Sequence, residues 1–560
     1  MNPRALRVVL ATLAAAFAMA PAASAAAPGQ VDSVGLPREL PASMSVPPPG
    51  FSTNARQAIA IAERTPAVRK ALRDHPGLRS EALVWDHSRW EVNFKTAQRT
   101  YVEVDVTAGG AVEAIWTGLQ AEAYFARGGS SGLFDSPWVW LPFALLFVAP
   151  FVDVRRPLRL LHLDLLMLLS FGASYWFFRR GDVEPAVALV YPALAYLLVR
   201  LLVAGLRGGR ARGALVPFLP TWALVVGVLA LAGARVGLDV ASDNVIDVGY
   251  ASVVGADRVA HHEQLYVDND VHGDTYGPVN YLAYVPFEAV FPWTGAWDSV
   301  PAARAAAITF DLLTLLGLLL LGRNLRDGPA GRRLGLAMAW AWAAFPFSLF
   351  GLMMNTNDGL VAMLSVFALV AFSSPLGRGG LLGLAIAAKF FPAALIPLFA
   401  RGRDEGRKAW AICAGAAVAV TAFTLLLYLP PGGLRELWNC TLGYQLGRPA
   451  DFSLWGLHAN LGWAQKALEV AGAALALGVA LVPGRRRSTV QIAALAGAVM
   501  IALQLPAGHW FYYYIMWFAP LAFVALFGGR REIGPPAPAT HGAAATRLAP
   551  ALRDQPPVPV

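Results

Sequence analysis

Residues 214–250 read A-L-V-P-F-L-P-T-W-A-L-V-V-G-V-L-A-L-A-G-A-R-V-G-L-D-V-A-S-D-N-V-I-D-V-G-Y, and this stretch decides the class of fold. From Ala214 to Gly237 the only charged residue is Arg235. At about 1.5 Å per helical residue the run is long enough to cross a bilayer. Just beyond it stand Asp243 and Asp247, so an apolar span opens onto an acidic loop. Working outward, comparable apolar runs fall near residues 137–152, 160–178, 185–205, 301–322, 334–353, 358–374, 380–400, 409–429, 463–482, 489–506 and 509–527. With 56% hydrophobic and 14% charged residues among 560, the chain is too apolar for an ordinary soluble enzyme. The expected architecture is an all-α polytopic membrane bundle of about thirteen crossings or half-crossings, preceded by a small exported α+β domain.

Charge sets the expected sidedness. The net charge of +9 is not gathered into a nucleic-acid-binding patch. It lies in short clusters between spans: Arg155, Arg156 and Arg159; Arg207, Arg210 and Arg212; Arg323, Arg326, Arg332 and Arg333; Arg378; Arg401 to Lys408; Arg485 to Arg487. Placing every cluster in the cytoplasm requires residues 380–400 to go out and back as a hairpin around Lys389 to Pro392. Two long outer loops then remain, 238–300 and 430–462, and function is expected there. Residues 1–25 read as a signal peptide, with Arg4 and Arg7, an apolar stretch and Ala23-Ser24-Ala25. Residues 26–50 read as a Pro- and Ala-rich linker, and 528–560 as a disordered cytoplasmic tail. Cys413 and Cys440 are the only cysteines, too few for a disulfide framework.

Between linker and bundle, residues 51–118 carry a helical pattern over 55–74, then alternating strands near 82–85, 89–95, 100–106 and 112–116. With W-E-V-N-F, Y-V-E-V-D-V and G-G-A-V-E-A-I-W-T-G, this unit resembles a PepSY-like module. The resemblance names no chemistry, and a passive exported cap is the plainer reading.

The acidic outer loop is where catalysis is expected. Asp247, with Asp243 in reserve, stands at the height of the outer interface, where a carboxylate can stay ionised and take a proton from a hydroxyl. Lys389 sits between G-L-A-I-A-A and F-F-P at the hairpin turn, placed either to contact a phosphate or to snorkel to the interface. Arg448 in the second loop and His509 before the aromatic run Trp510 to Tyr514 are further candidates. Asn357-Asp358 opens a span as a helix cap or a substrate contact, and Arg304 with Asp311 is expected to form a structural polar stripe inside the bundle. No metal-ligand spacing is present, since the adjacent His261-His262 cannot easily place both rings on one ion.

Asp247 and Tyr250, the downstream Leu265-Tyr266, and Y-x-P-x-x-Y-L-x-x-x-P-F from Tyr276 to Phe287 together resemble the integral-membrane glycosyltransferases of the C fold. Within that superfamily the chain is most similar to the polyprenol-phosphate-mannose-dependent mannosyltransferase-like family of actinobacteria. N-T-N-D-G-L (Asn355 to Leu360), G-L-A-I-A-A-K-F-F-P-A-A-L-I-P (Gly383 to Pro397), G-R-P-A-D-F-S-L-W-G-L (Gly447 to Leu457) and H-W-F-Y-Y-Y (His509 to Tyr514) agree in order. Two positions depart: His262-Glu263 replace a usual glycine, and Tyr276-Gly277-Pro278 replaces Y-P-P. The resemblance implies a catalytic core over 214–527, with 134–213 as accessory helices. It further implies transfer of mannose, or another hexose or pentose, from a polyprenyl-phosphate donor to a glycolipid or envelope-glycan acceptor outside the plasma membrane. Tyr250, Tyr276, Lys389, Arg448, His509 and Asp358 would bind substrate, with no cofactor beyond the lipid-linked sugar and no nucleic acid.

Chemistry supports the same direction. Nucleotide sugars are confined to the cytoplasm, so an outer-face transferase needs its sugar on a lipid phosphate, a base for the acceptor and a cation for the leaving phosphate. Two rivals stay open. A secondary transporter would use Lys389, Asp311 and Asp358 as coupling groups, although no internal repeat is evident. A non-catalytic envelope assembly or sensor protein would not need a long loop dense in Asp, His and Tyr.

Overall fold

The computed structural model describes residues 38–85, 88–96, 99–122, 127, 131–207, 211–215, 219–242, 244–266, 275–295, 300–402, 405–447, 452–481 and 487–532. The proposed signal peptide, Asp243, Arg448 and most of the C-terminal tail lie outside them.

The N-terminal unit is a five-stranded antiparallel meander in the order β1 (Arg38–Glu39), β2 (Arg79–Trp85), β3 (Arg89–Lys95), β4 (Thr100–Thr107) and β5 (Val112–Thr117). β1 pairs with the end of β2, so the sheet reaches back into the expected linker. The single expected helix is two, α1 (Ala55–Glu63) and α2 (Pro66–Asp74), because Thr65 caps a new helix with Pro66 in its first turn. Alternation along β3 and β4 turns Trp90, Val92, Phe94, Val102, Val104 and Val106 into one core packed with Ala55, Ala58 and Ala62. The opposite face carries Glu91, Asn93, Glu103 and Asp105, all buried. Arg127 reaches it at 2.6 Å from Glu103, and the Trp116 indole donates to Asp105 at 2.9 Å. Burial, against the pull of Arg127, pushes the Glu103 carboxyl up to about 7, and burial likewise raises Asp105.

The rest is helical: α3 (Pro137–Val148), α4 (Leu160–Leu169), α5 (Phe171–Phe178), α6 (Val183–Arg207), α7 (Thr221–Val240), α8 (Asp247–Ala260), α9 (Pro301–Leu325), α10 (Gly328–Ala344), α11 (Pro346–Met353), α12 (Asp358–Val370), α13 (Pro375–Ala388), α14 (Arg407–Leu427), α15 (Gly462–Leu481), α16 (Thr489–Gln504) and α17 (Ile515–Gly528). Among the described residues six helices are long and apolar enough to cross a membrane, or seven if α10 and α11, bent by 59°, count as one. Helix length thus accounts for part of the expected crossings; the remaining apolar helices are shorter than a full crossing needs. The bend at Phe345-Pro346 breaks what the sequence reads as one straight span, since Pro346 supplies no N–H and the residue before it is extended.

Contacts fix which helix ends lie together. Arg326 donates to Gly528 O, and Gln491 to Gly205 O, so α6, α9, α16 and α17 meet at an arginine-rich end. At the other end Arg304 donates to Ser242 O at 2.5 Å, and Ile246 N–H to Met354 O at 3.3 Å. Arg378, fully buried near the start of α13, pairs with Glu405 at 2.8 Å. α13 alone rises about 21 Å, so the chain from Lys389 to Arg401 must turn back for that pair to form. Thr421 donates to Gly383 O, and a Cβ at Gly379 would stand 2.2 Å from Cys413 O, so α13 and α14 run parallel. The segment is therefore a hairpin with Lys389 at its far end. The expected tail is also partly ordered: Arg530–Glu532 pairs in parallel with Ala211–Leu215.

Candidate functional site

Lys389 terminates α13 with its N–H on Ala385 O and an extended backbone, which swings its side chain out of the helix. Its ammonium meets Asp358 Oδ1 at 2.5 Å, with side-chain exposures of 10% and 2%. The Trp517 indole donates to the same oxygen at 2.7 Å. The rings of Tyr276 and Trp517 lie 5.1 Å and 5.4 Å from the ammonium. Lys389 therefore does not snorkel to an interface; it is a buried cation balanced by one carboxylate and two aromatic faces. Asn357 occupies the cap position of α12, without a side-chain capping bond, and Asp358 is the first residue of that helix.

Tyr276 reaches this cage because its loop lies against the end of α13. Gly277 N–H donates to Ala388 O at 3.2 Å, and a Cβ at Gly277 would stand 2.0 Å from Ala387 O, so only glycine permits the approach. This explains the glycine between Tyr276 and Pro278. Tyr266 donates its hydroxyl proton to Tyr276 O at 2.9 Å, and Tyr281 accepts the Tyr276 N–H at 3.2 Å.

A second set of polar groups links this cage to α8. Asn355, at φ +52°, turns the chain between α11 and α12 in a left-handed conformation that asparagine tolerates. α8 packs close enough there that a Cβ at Gly249 would stand 2.4 Å from Asn355 O. Ser252 donates to Val248 O at 2.6 Å and accepts both the Asn280 amide at 2.9 Å and the Asn357 amide at 3.3 Å. Tyr284, fully buried, lies beside Ser252; burial, opposed by the Ser252 hydroxyl and reinforced by the Asp358 charge, pushes its phenol up. Asp247 begins the same helix, half-buried, with Oδ1 accepting the Val248 N–H at 2.9 Å. It stands about 7.5 Å along the axis from Ser252.

The other expected residues divide. Tyr250 packs edge-on against Trp293 at 6.2 Å. His509 stacks on Phe511, and its loop joins the segment after residue 451 through Trp510 N–H to Phe452 O at 3.2 Å. Asp311 has a structural role inside the bundle, and its partner comes from another helix. Its carboxylate binds Arg235 in two bonds, 2.6 Å and 3.0 Å, and accepts the Trp342 indole at 2.8 Å. Arg235 also donates to Ala343 O and Ser348 Oγ, which clamps the bend between α10 and α11. Sequence reading missed the pairing of Arg235, and it missed Ser252 and Asn280 as the partners of Asn357. The signal for Arg235 was present, since an arginine inside a span requires a buried acid. No cluster of three metal-ligating acids, histidines or cysteines occurs among the described residues.

These features sit mainly within a recognisable stretch of the chain. Residues 275–529 match the model of glycosyltransferase family 87. No curated protein matches the chain, and no solved structure does. The matched region contains Tyr276, Asn280, Asn357, Asp358, Lys389, His509 and Trp517, and stops short of Asp247 and Ser252. Together with the apolar helices, the family 87 match supports a multi-pass membrane glycosyltransferase.

Proposed function

We propose that the protein transfers a sugar, mannose or another hexose or pentose, from a polyprenyl-phosphate donor to a glycolipid or envelope-glycan acceptor at the extracytoplasmic face. The observation that carries this reading is the buried Lys389–Asp358 pair, set in an aromatic cage at the hairpin end and joined through Asn357 and Ser252 to the helix that Asp247 begins. In this reading the donor phosphate approaches Lys389, whose charge Asp358 and Trp517 hold in place. The acceptor O–H gives its proton to the Asp247 carboxylate, with Asp243 in reserve. The acceptor oxygen bonds to the anomeric carbon while the bond from that carbon to the phosphate oxygen breaks. The electron pair leaves on polyprenyl phosphate, stabilised by Lys389. Tyr250, Arg448 and His509 remain proposed contacts for the sugar or acceptor.

Placement of the arginine-rich end in the cytoplasm, with the exported domain and both long loops outside, is supported by the distribution of Arg323, Arg326, Arg332, Arg401 and Arg407. The test is transfer by the purified protein in nanodiscs. Radiolabel from polyprenyl-phosphate mannose should pass to an envelope lipid extract, whereas label from a nucleotide sugar should not. Transfer from the nucleotide sugar alone would overturn the reading.

A further inference from the structure

The buried polar groups around Ser252 are matched unevenly. The serine hydroxyl is saturated: its proton goes to Val248 O, and its oxygen accepts the amide N–H groups of Asn280 and Asn357. Both asparagines are therefore held with their nitrogens on one atom. Their amide oxygens, each on a side chain about 1% exposed, have no hydrogen-bond partner among the described residues. A buried acceptor left unmatched costs about 1–3 kcal/mol, and two of them beside one serine are not needed for packing. Asn357 immediately precedes Asp358, the partner of Lys389. Ser252 stands one and a half turns along α8 from Asp247. The acceptors thus belong to the polar network that joins α12, which carries the partner of the proposed phosphate contact, to α8, which the proposed base begins.

Resting on the function proposed above, we infer that the amide oxygens of Asn280 and Asn357, anchored by Ser252, accept hydrogen bonds from hydroxyls of the transferred sugar and form its specificity subsite. Two acceptors held by a common anchor suit two hydroxyls of one ring. The Tyr284 hydroxyl beside Ser252 borders the same place. Because a site built to bond a hydroxyl leaves its own groups unmatched when that hydroxyl is missing, it discriminates strongly against deoxygenated analogues.

The experiment uses the full chain in nanodiscs with polyprenyl-phosphate mannose, its singly deoxygenated analogues, and polyprenyl phosphate without sugar. On the wild type, one or two deoxygenated donors should lose at least about tenfold in kcat/KM. In Asn357→Leu the intact donor should fall to the level of those analogues, removing the discrimination, while affinity for polyprenyl phosphate stays at the wild-type value. Equal use of all analogues by the wild type overturns the subsite and needs no variant to fold. Loss in Asn357→Leu by one common factor for every donor also overturns it, by reducing the asparagine to a structural role. If the wild type transfers sugar from no lipid phosphate, the functional reading falls and takes the subsite with it; transfer without discrimination removes the subsite alone.

Discussion

Replacing Lys389 with Met deletes the ammonium while keeping the stem volume, and the structure makes this more than a loss of a phosphate contact. It leaves the Asp358 carboxylate, 2% exposed, with the Trp517 indole as its remaining described donor. Breaking one side of a buried ion pair typically costs about 3–5 kcal/mol because the remaining charge stays desolvated. The retained indole bond places the expectation near the lower limit, about 3 kcal/mol. Adding Asp358→Asn should recover most of that loss, since the amide oxygen still accepts from Trp517 and no charge is left buried. The double variant should unfold within about 1 kcal/mol of the wild type, while Asp358→Asn alone, which strands the buried ammonium, should cost about 3 kcal/mol, so the coupling energy is about 5 kcal/mol in magnitude. The assay is unfolding in mixed micelles followed by tryptophan fluorescence, for the wild type, both single variants and the double. A Lys389→Met cost below about 1 kcal/mol, or a double variant no more stable than that single, would refute the pairing argument. The rescued double variant also isolates function. It should fold normally yet bind polyprenyl phosphate at least about tenfold more weakly than the wild type, because a hydrogen bond to a charged group contributes about 1.5–3 kcal/mol.

Asp247→Asn should leave unfolding unchanged and abolish transfer, because an amide cannot take the hydroxyl proton; loss in Asp243→Asn instead would move the base to that residue, and retention in both would remove the mechanism. In a background lacking Cys413 and Cys440, cysteines at Ser88 and Leu434 should react with an impermeant thiol reagent on intact cells, and those at Arg332 and Lys408 only after lysis. Labelling of Leu434→Cys only after lysis would put the second long loop in the cytoplasm. The N-terminal sheet should weaken as pH rises. The folded Glu103 carboxyl, at about 7 against an ordinary 4.5, holds its proton more tightly than the unfolded one. The associated stability is thus fully present below about pH 4.5 and is lost as pH rises through 7, up to about 3 kcal/mol. Amide exchange in β3 and β4, corrected for intrinsic rates, should therefore be better protected at pH 5 than at pH 8, and Glu103→Gln should flatten the difference; protection that increases with pH would contradict the assignment.

What the sequence disclosed follows from the range of its signals. Span positions were legible because hydropathy is local, and the hairpin at Lys389 was legible because charge on flanking loops restricts where a chain can turn. Pairings between spans were not. Asp311 and Arg304 share a helix and a face, yet Asp311 bonds Arg235, 76 residues away, because helix packing rather than spacing along one helix chooses the partner. Lys389 read equally well as a snorkelling residue, and only the approach of α12 and α17 separates the two. Ser252 carries no sequence signal at all. Serine in an apolar helix commonly bonds the preceding turn, as this one does with Val248 O, and its second use becomes visible only when Asn280 and Asn357 arrive from other segments.

The hairpin at Lys389 also dictates an order of assembly during synthesis. Asp358 precedes Lys389 closely in the chain, so the ion pair can form as soon as the hairpin leaves the ribosome. Trp517, which donates to the same carboxylate oxygen and covers the ammonium, is made about 130 residues later, and at about 5–20 residues per second that is a wait of roughly 6–26 seconds. Through that interval the nascent chain holds a paired but open charge at the hairpin tip, and the C-terminal helix closes it last. A product truncated before Trp517 retains the hairpin, its ion pair and the Tyr276 face but lacks the indole that bonds the carboxylate and covers the ammonium.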